Sequence, residues 1–81
     1  SIPRVSADQY AKANKIDAKH ACIGDLVFFG TDGKVSHVGI LVNQPGEPKK
    51  MIHASSSKGV MFQSIDDSKY YTSRLIGFGR Y

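Results

Sequence analysis

The sequence predicts an α+β domain, an antiparallel sheet of about five strands with one short helix ahead of them. Three observations predict it. Gly24-Asp25-Leu26-Val27-Phe28-Phe29-Gly30 is a continuous apolar run closed by glycines, the mark of a strand buried on both faces. Val35 to Val42 and Met51 to Ser56 are further strand-like runs, each carrying one histidine. Turn-forming residues separate the runs at hairpin spacing, Asp32-Gly33 between the first two and Asn43-Gln44-Pro45-Gly46-Glu47-Pro48 between the next two.

Taken in order, the chain first offers a helix over residues 6–14. Ser6 suits the N-cap, Gln9 stands three residues later in the capping-box position, and Asp8 favours the positive end of the helix dipole. Pro3 and Arg4 lead in. Residues 16–20 carry no sustained helical stripe, so the helix ends near Asn14 and Lys15. The buried strand follows, and Asp-Gly at the centre of Thr31-Asp32-Gly33-Lys34 turns it tightly into the next. There Val38, Ile40 and Val42 share one face, and His37, Gly39 and Leu41 the other. Gly39 leaves space beside the His37 imidazole. After the second histidine strand, Ser57-Lys58-Gly59 turns into a strand over residues 60–65. Residues 66–71 form a capped helical turn with Tyr70 and Tyr71 as packing residues, and residues 75–81 are the last strand.

If the loop between the histidine strands centres on Pro45, paired residue numbers add to 90 and His37 faces His53 directly. Their Cβ atoms then lie roughly 4.5–5.5 Å apart on one face, close enough for one imidazole to hold the other. Two structural histidines on a half-buried face would fit the same spacing.

Composition narrows the function. An 81-residue chain makes one small domain at most, burying roughly 60–65% of the surface its unfolded form exposes. The net charge of +4 comes from dispersed Lys and Arg without interleaved stacking aromatics, so nucleic acid is not an expected partner. A mild positive charge favours polyanionic surfaces, a bacterial cell wall among them. No apolar run reaches the ~18 residues of a membrane span. The single cysteine, Cys22, rules out an internal disulfide and a multi-cysteine zinc site. His37 and His53 are too few for a closed zinc site, and neither metal nor cofactor is expected. Cys22 sits in a loop rather than at a helix N-terminus, so it is not expected to be a nucleophile. Asp25 reads as a hydrogen-bonding residue at strand entry rather than an acid catalyst.

Three motifs, Gly24-Asp25-Leu26-Val27-Phe28-Phe29, Ser36-His37-Val38-Gly39-Ile40 and Met51-Ile52-His53-Ala54-Ser55, make the chain resemble the NlpC/P60 family of papain-like cell-wall cysteine peptidases. The likeness extends to residues 3–9 upstream, and downstream to Gly59-Val60, Tyr70-Tyr71 and residues 74–80.

The resemblance implies a papain-like fold in which His37 is the general base, His53 its orienting residue, and Ser36, Ser55 and Ser56 line the substrate groove. It implies hydrolysis of the γ-D-glutamyl–diamino acid amide in peptidoglycan stem peptides, and an extracellular or cell-wall location. The family's Asp-Cys-Ser-Gly nucleophile motif does not occur here. Residues 1–81 are therefore expected to form the C-terminal portion of such a domain, without its nucleophile helix and inactive alone. Lacking that helix, apolar surface on residues 26–29 is expected to be uncovered and to require a partner, either the N-terminal half of the domain or a second copy of the chain. A non-catalytic stem-peptide-binding module, or a structural interaction module, is the alternative.

Overall fold

The computed structural model describes residues 6–55 and 57–81. The lead-in at Pro3 and Arg4, the side chain of Ser6 at the expected N-cap, and Ser56 lie outside the described residues. Helix α1 (Ser6–Lys12) precedes strands β1 (Asn14–Ile16), β2 (Leu26–Thr31), β3 (Lys34–Leu41), β4 (Lys50–Ser55) and β5 (Gly59–Ser64). A single-turn helix α2 (Lys69–Thr72) and strand β6 (Leu75–Arg80) complete the order. All six strands form one antiparallel sheet, ordered β1-β6-β2-β3-β4-β5.

The expected α+β architecture is present, with one strand more than the five expected. Three residues, Asn14, Lys15 and Ile16, pair with Arg80, Gly79 and Phe78. So short a strand has no periodicity of its own and exists because β6 supplies a partner edge. The connection also differs from five strands laid side by side in chain order. After β5 and α2 the chain returns to place β6 between β1 and β2.

The β2–β3 hairpin follows its turn chemistry. Asp32 and Gly33 both adopt positive φ, 53° and 75°, and Thr31 pairs with Lys34 across the two-residue loop. Asp tolerates that conformation and Gly adopts it freely, as a primed turn requires.

One face of the sheet carries the main core. Val27, Phe29, Leu41, Met51 and Phe78 pack with Ala21 and Ile65 from the loops. On the opposite face α1 lies against β3 and reaches β2 and β6 through Tyr10 and Ala13. The Tyr10 ring meets Phe28 edge-on at 4.9 Å. Gly77 and Gly79 let the helix approach, since a Cβ on Gly79 would lie 2.6 Å from that of Ala13.

Two expectations are corrected here. Val27, Phe28 and Phe29 are 0, 0 and 2% exposed, so β2 is not uncovered, because α1 and the core close both of its faces. The large apolar side chains left open include Ile40, Val60 and Phe62, further along the sheet. The space beside Gly39 is not open either. A Cβ there would meet Met51 Sδ at 2.5 Å, so the glycine makes room for the core methionine.

Candidate active site

β3 and β4 pair only at Ile40 with Ile52 and Leu41 with Met51, where residue numbers add to 92 rather than 90. The turn explains the difference. Gly46 takes a φ of 81°, and Glu47 N–H donates to the Gln44 carbonyl. Buried Asn43 anchors the loop by donating to the carbonyls of Ala21 and Gln44. The loop thus centres on Gly46, where positive φ costs little, instead of Pro45. A slip of two residues leaves every side chain on its expected face. His37 and His53 therefore meet diagonally, just beyond the last paired residues.

They meet closely. His37 Nε2 lies 2.8 Å from His53 Nδ1, with the rings nearly perpendicular at 84°. Phe29, opposite His37 on β2, packs against that ring. His53 is buried and His37 half-buried. Burial lowers the pKa of both below the ordinary 6.5, and in His53 the neighbouring His37 adds to the effect. Both imidazoles are thus held neutral at neutral pH, the form in which a ring nitrogen can accept a proton. Nδ1 of His37 makes no hydrogen bond among the described residues.

A local irregularity aims His37. Phe29 pairs with His37 but Gly30 with Val35, so Ser36 is an extra residue without a ladder partner. Ile76 is skipped likewise between β2 and β6. Bulges bend a strand and redirect adjacent side chains. Gly30 permits both bulges, since a Cβ there would collide with the Lys34 carbonyl and crowd Ile76.

His37 and His53 open onto a groove of about 470 Å³, whose lining includes Thr31, Ser36, Ser55, Tyr70 and Arg74. Of the expected groove serines, Ser36 lies at the bulge beside His37. Ser55 lines the groove but also closes the β4–β5 turn, accepting from the N–H groups of Ser57 and Lys58.

The tyrosine pair does more than pack. Ser68 caps α2, accepting from Tyr71 N–H, and so presents Tyr71 to the groove. The Tyr71 hydroxyl lies 3.5 Å from His53 Nε2, its ring edge-on to both His53 and Phe29. Desolvation, and secondarily Tyr70, raises its pKa. The run Ser68-Lys69-Tyr70-Tyr71 carried a capping signal, but no local pattern revealed that its second tyrosine reaches His53.

Cys22 lies elsewhere. Its N–H donates to Asp25 Oδ2, and Gly24 N–H donates to the Leu41 carbonyl, which puts this turn beyond the far end of β3. Leu41 is four residues along the strand from His37, about 13 Å at strand spacing. Asp25, 3% exposed, is a hydrogen-bonding residue at strand entry as expected. It also takes a bidentate pair from Arg80 at 2.7 Å through both Nε and Nη2. Among the described residues no three His, Cys, Asp or Glu side chains cluster to hold a metal ion.

An antiparallel sheet with short helices, presenting a histidine pair at the mouth of a polar groove, defines a small α+β domain, and the sequence places it in a family. The chain belongs to the NlpC/P60 family, whose profile matches residues 1–80. It is 41% identical over 80 residues to the probable endopeptidase p60 of Listeria monocytogenes, covering 99% of this chain and 15% of that protein. It is 36% identical over 83 residues to the bifunctional muramidase/DL-endopeptidase CwlT of Bacillus subtilis, covering 99% of this chain and 23% of that one. The structure superposes on an NlpC/P60 family protein of Bacillus cereus with a TM-score of 0.85 at 29% identity, covering 100% of this chain and 26% of that one. A lipoprotein-like NLP/P60 protein of Staphylococcus aureus gives a TM-score of 0.79 at 34% identity, covering 99% and 26%. The chain thus spans about a quarter or less of each of these four proteins.

Proposed function

We propose that residues 1–81 are the C-terminal portion of a peptidoglycan-hydrolysing cysteine endopeptidase domain, acting on the γ-D-glutamyl–diamino acid bond of stem peptides outside the cell or at its wall. His37 is the base and His53 orients it. The carrying observation is the 2.8 Å contact between His37 Nε2 and His53 Nδ1, both residues lining the groove and His37 Nδ1 making no hydrogen bond among the described residues.

The chemistry follows from the tautomers. For Nδ1 of His37 to accept a thiol proton, its hydrogen must sit on Nε2 and donate to His53 Nδ1. His53 then carries its own hydrogen on Nε2, facing the Tyr71 hydroxyl. A nucleophilic cysteine within reach of His37 Nδ1 would lose its proton there and attack the scissile carbonyl. The imidazolium would return the proton to the leaving amine, and water would release the acyl group. Cys22, at the far end of β3, is not placed for this, so the nucleophile comes from a segment beyond these 81 residues or from a separate chain. Residues 1–81 alone are inactive on this reading. The same nucleophile-bearing segment is the expected partner.

The test joins the chain to a segment carrying the Asp-Cys-Ser-Gly motif and follows soluble muropeptides released from purified peptidoglycan. Hydrolysis that requires the added cysteine, His37 and His53 is the expected result. Hydrolysis by residues 1–81 alone that disappears in Cys22→Ala would overturn the assignment, as would a joined protein that shifts the histidine NMR signals on binding muropeptide but never cuts.

A further inference from the structure

The groove carries one feature that proton transfer at His37 does not use. Among its described lining residues, Arg74 is the only side chain with a permanent charge, and none of them is a carboxylate. The other polar groups there are hydroxyls and the two neutral imidazoles. Arg80, in the same sheet, shows how this fold satisfies an arginine, with Nε and Nη2 both given to the Asp25 carboxylate. Arg74 has no such partner. Among the described residues it joins no ion pair, and its side-chain hydrogen bonds come from Nη1 alone, to the Tyr70 carbonyl at 2.9 Å and to Ser73 Oγ. The Nε and Nη2 edge, the one that Arg80 uses on Asp25, makes no hydrogen bond to the described residues.

The guanidinium is also held in place. It lies over the Tyr70 ring, 3.9 Å from the centroid, while Nη1 is tied to the same residue's carbonyl. A planar fork fixed on an aromatic face loses little freedom on binding and presents two parallel donors, the geometry that suits a carboxylate.

We propose that Arg74, seated on Tyr70, is a carboxylate subsite of the groove, taking a carboxylate of a peptide lying across the His37–His53 pair. The inference rests on the groove being a peptide site and adds to it a requirement for negative charge on the ligand. Arg74 then acts in binding and in the choice of substrate, with no part in proton transfer.

The test needs no turnover. The chain is titrated with γ-D-glutamyl-L-lysine bearing free carboxylates, and separately with the same dipeptide amidated at both, while 1H–15N NMR follows the backbone, the Arg74 Nε–H and the histidine rings. The free acid is expected to bind about tenfold more tightly than the diamide, the scale of one charge-assisted hydrogen-bonded contact, and to move the Arg74 Nε–H signal. Arg74→Gln should bring the two affinities together while leaving the His37 and His53 signals in place. Arg74→Lys, which keeps the charge without the fork, should retain part of the preference and decides the matter if the glutamine variant is disturbed. Equal affinities, a preference that survives Arg74→Gln, or no binding of either peptide would overturn the subsite. The two readings fail separately. A joined protein that never cuts peptidoglycan removes the catalytic assignment and leaves an acid preference standing, whereas equal cutting of acid and amidated stem peptides removes the subsite alone.

Discussion

Removing either partner of the Asp25–Arg80 pair should destabilise the chain, but unequally and with deficits that begin to shrink at different pH on acidification. Asp25 is 3% exposed and accepts three hydrogen bonds, two from Arg80 and one from Cys22 N–H. The Arg80 side chain is half exposed. Asp25→Ala therefore releases a guanidinium that water can take up, and its cost is the lost charge-assisted contact plus one unpaired N–H, about 2–4 kcal/mol. Arg80→Ala strands a buried carboxylate and is the costlier of the two changes. A chain of 81 residues has a total stability of only about 4–12 kcal/mol, so either change should be plain in a urea unfolding curve.

The Arg80 hydrogen bonds hold the Asp25 pKa below its ordinary 3.8, against the opposing effect of burial, with Cys22 N–H assisting. In the native chain this stabilisation is complete above 3.8 and lost as pH falls through the lower folded value. In Arg80→Ala the stranded carboxyl prefers to be protonated, so that variant's deficit should shrink as the pH is lowered towards 3.8. Urea midpoints of the two variants and the parent, followed by circular dichroism at pH 7 and near pH 4, measure both effects. Asp25→Ala proving the costlier change at pH 7, or an Arg80→Ala deficit that does not change with pH, would refute the reasoning.

Other outcomes are as specific. Gly79→Ala should cost about 1–3 kcal/mol by forcing α1 off the sheet, and Ala13→Gly in the same chain should recover part of it in the same unfolding assay. Because His37 and His53 are depressed below 6.5, the unfolded chain binds more protons than the folded one as pH falls through that value. Their contribution is complete above 6.5 and lost below it, so thermal midpoints should drop between pH 7.5 and pH 5, and drop less in His53→Gln. Tyr71→Phe should leave stability within about 1 kcal/mol yet alter the 15N shifts that report which His53 nitrogen carries the proton; unchanged shifts would show that the hydroxyl does not bias the tautomer.

What the sequence revealed, and what it hid, divides along the range of the interactions. Asp32-Gly33 could be read because a primed turn is decided by the φ preferences of two adjacent residues. The apolar run at residues 26–29 was legible because burial on both faces needs no partner to be named. The histidine pair was legible in face but not in register, since alternation survives a slip of two residues and only the Gly46 turn distinguishes the two alignments. β1 was not legible at all, because its three residues become a strand only through β6, more than sixty positions later. Gly39 was misread for the same reason. Its missing side chain serves Met51, on the next strand, rather than the histidine two residues away. The contact of Tyr71 with His53 depends on where α2 docks, which nothing within the helix encodes.

The position of β6 has a consequence for how the protein is made. During synthesis β2 emerges well before β6, which is one of its two neighbours and, among the described strands, the one that pairs with β1. Until the ribosome has released residues 75–80, the apolar run at 26–29 has an unpaired flank, and α1 has neither Gly77 nor Gly79 to rest on. The nascent chain must therefore keep this apolar segment half-paired until β6 has emerged. Such a topology favours completion once β6 has emerged over strand-by-strand folding, and it makes chains that stop short of β6 natural clients for chaperones and proteases.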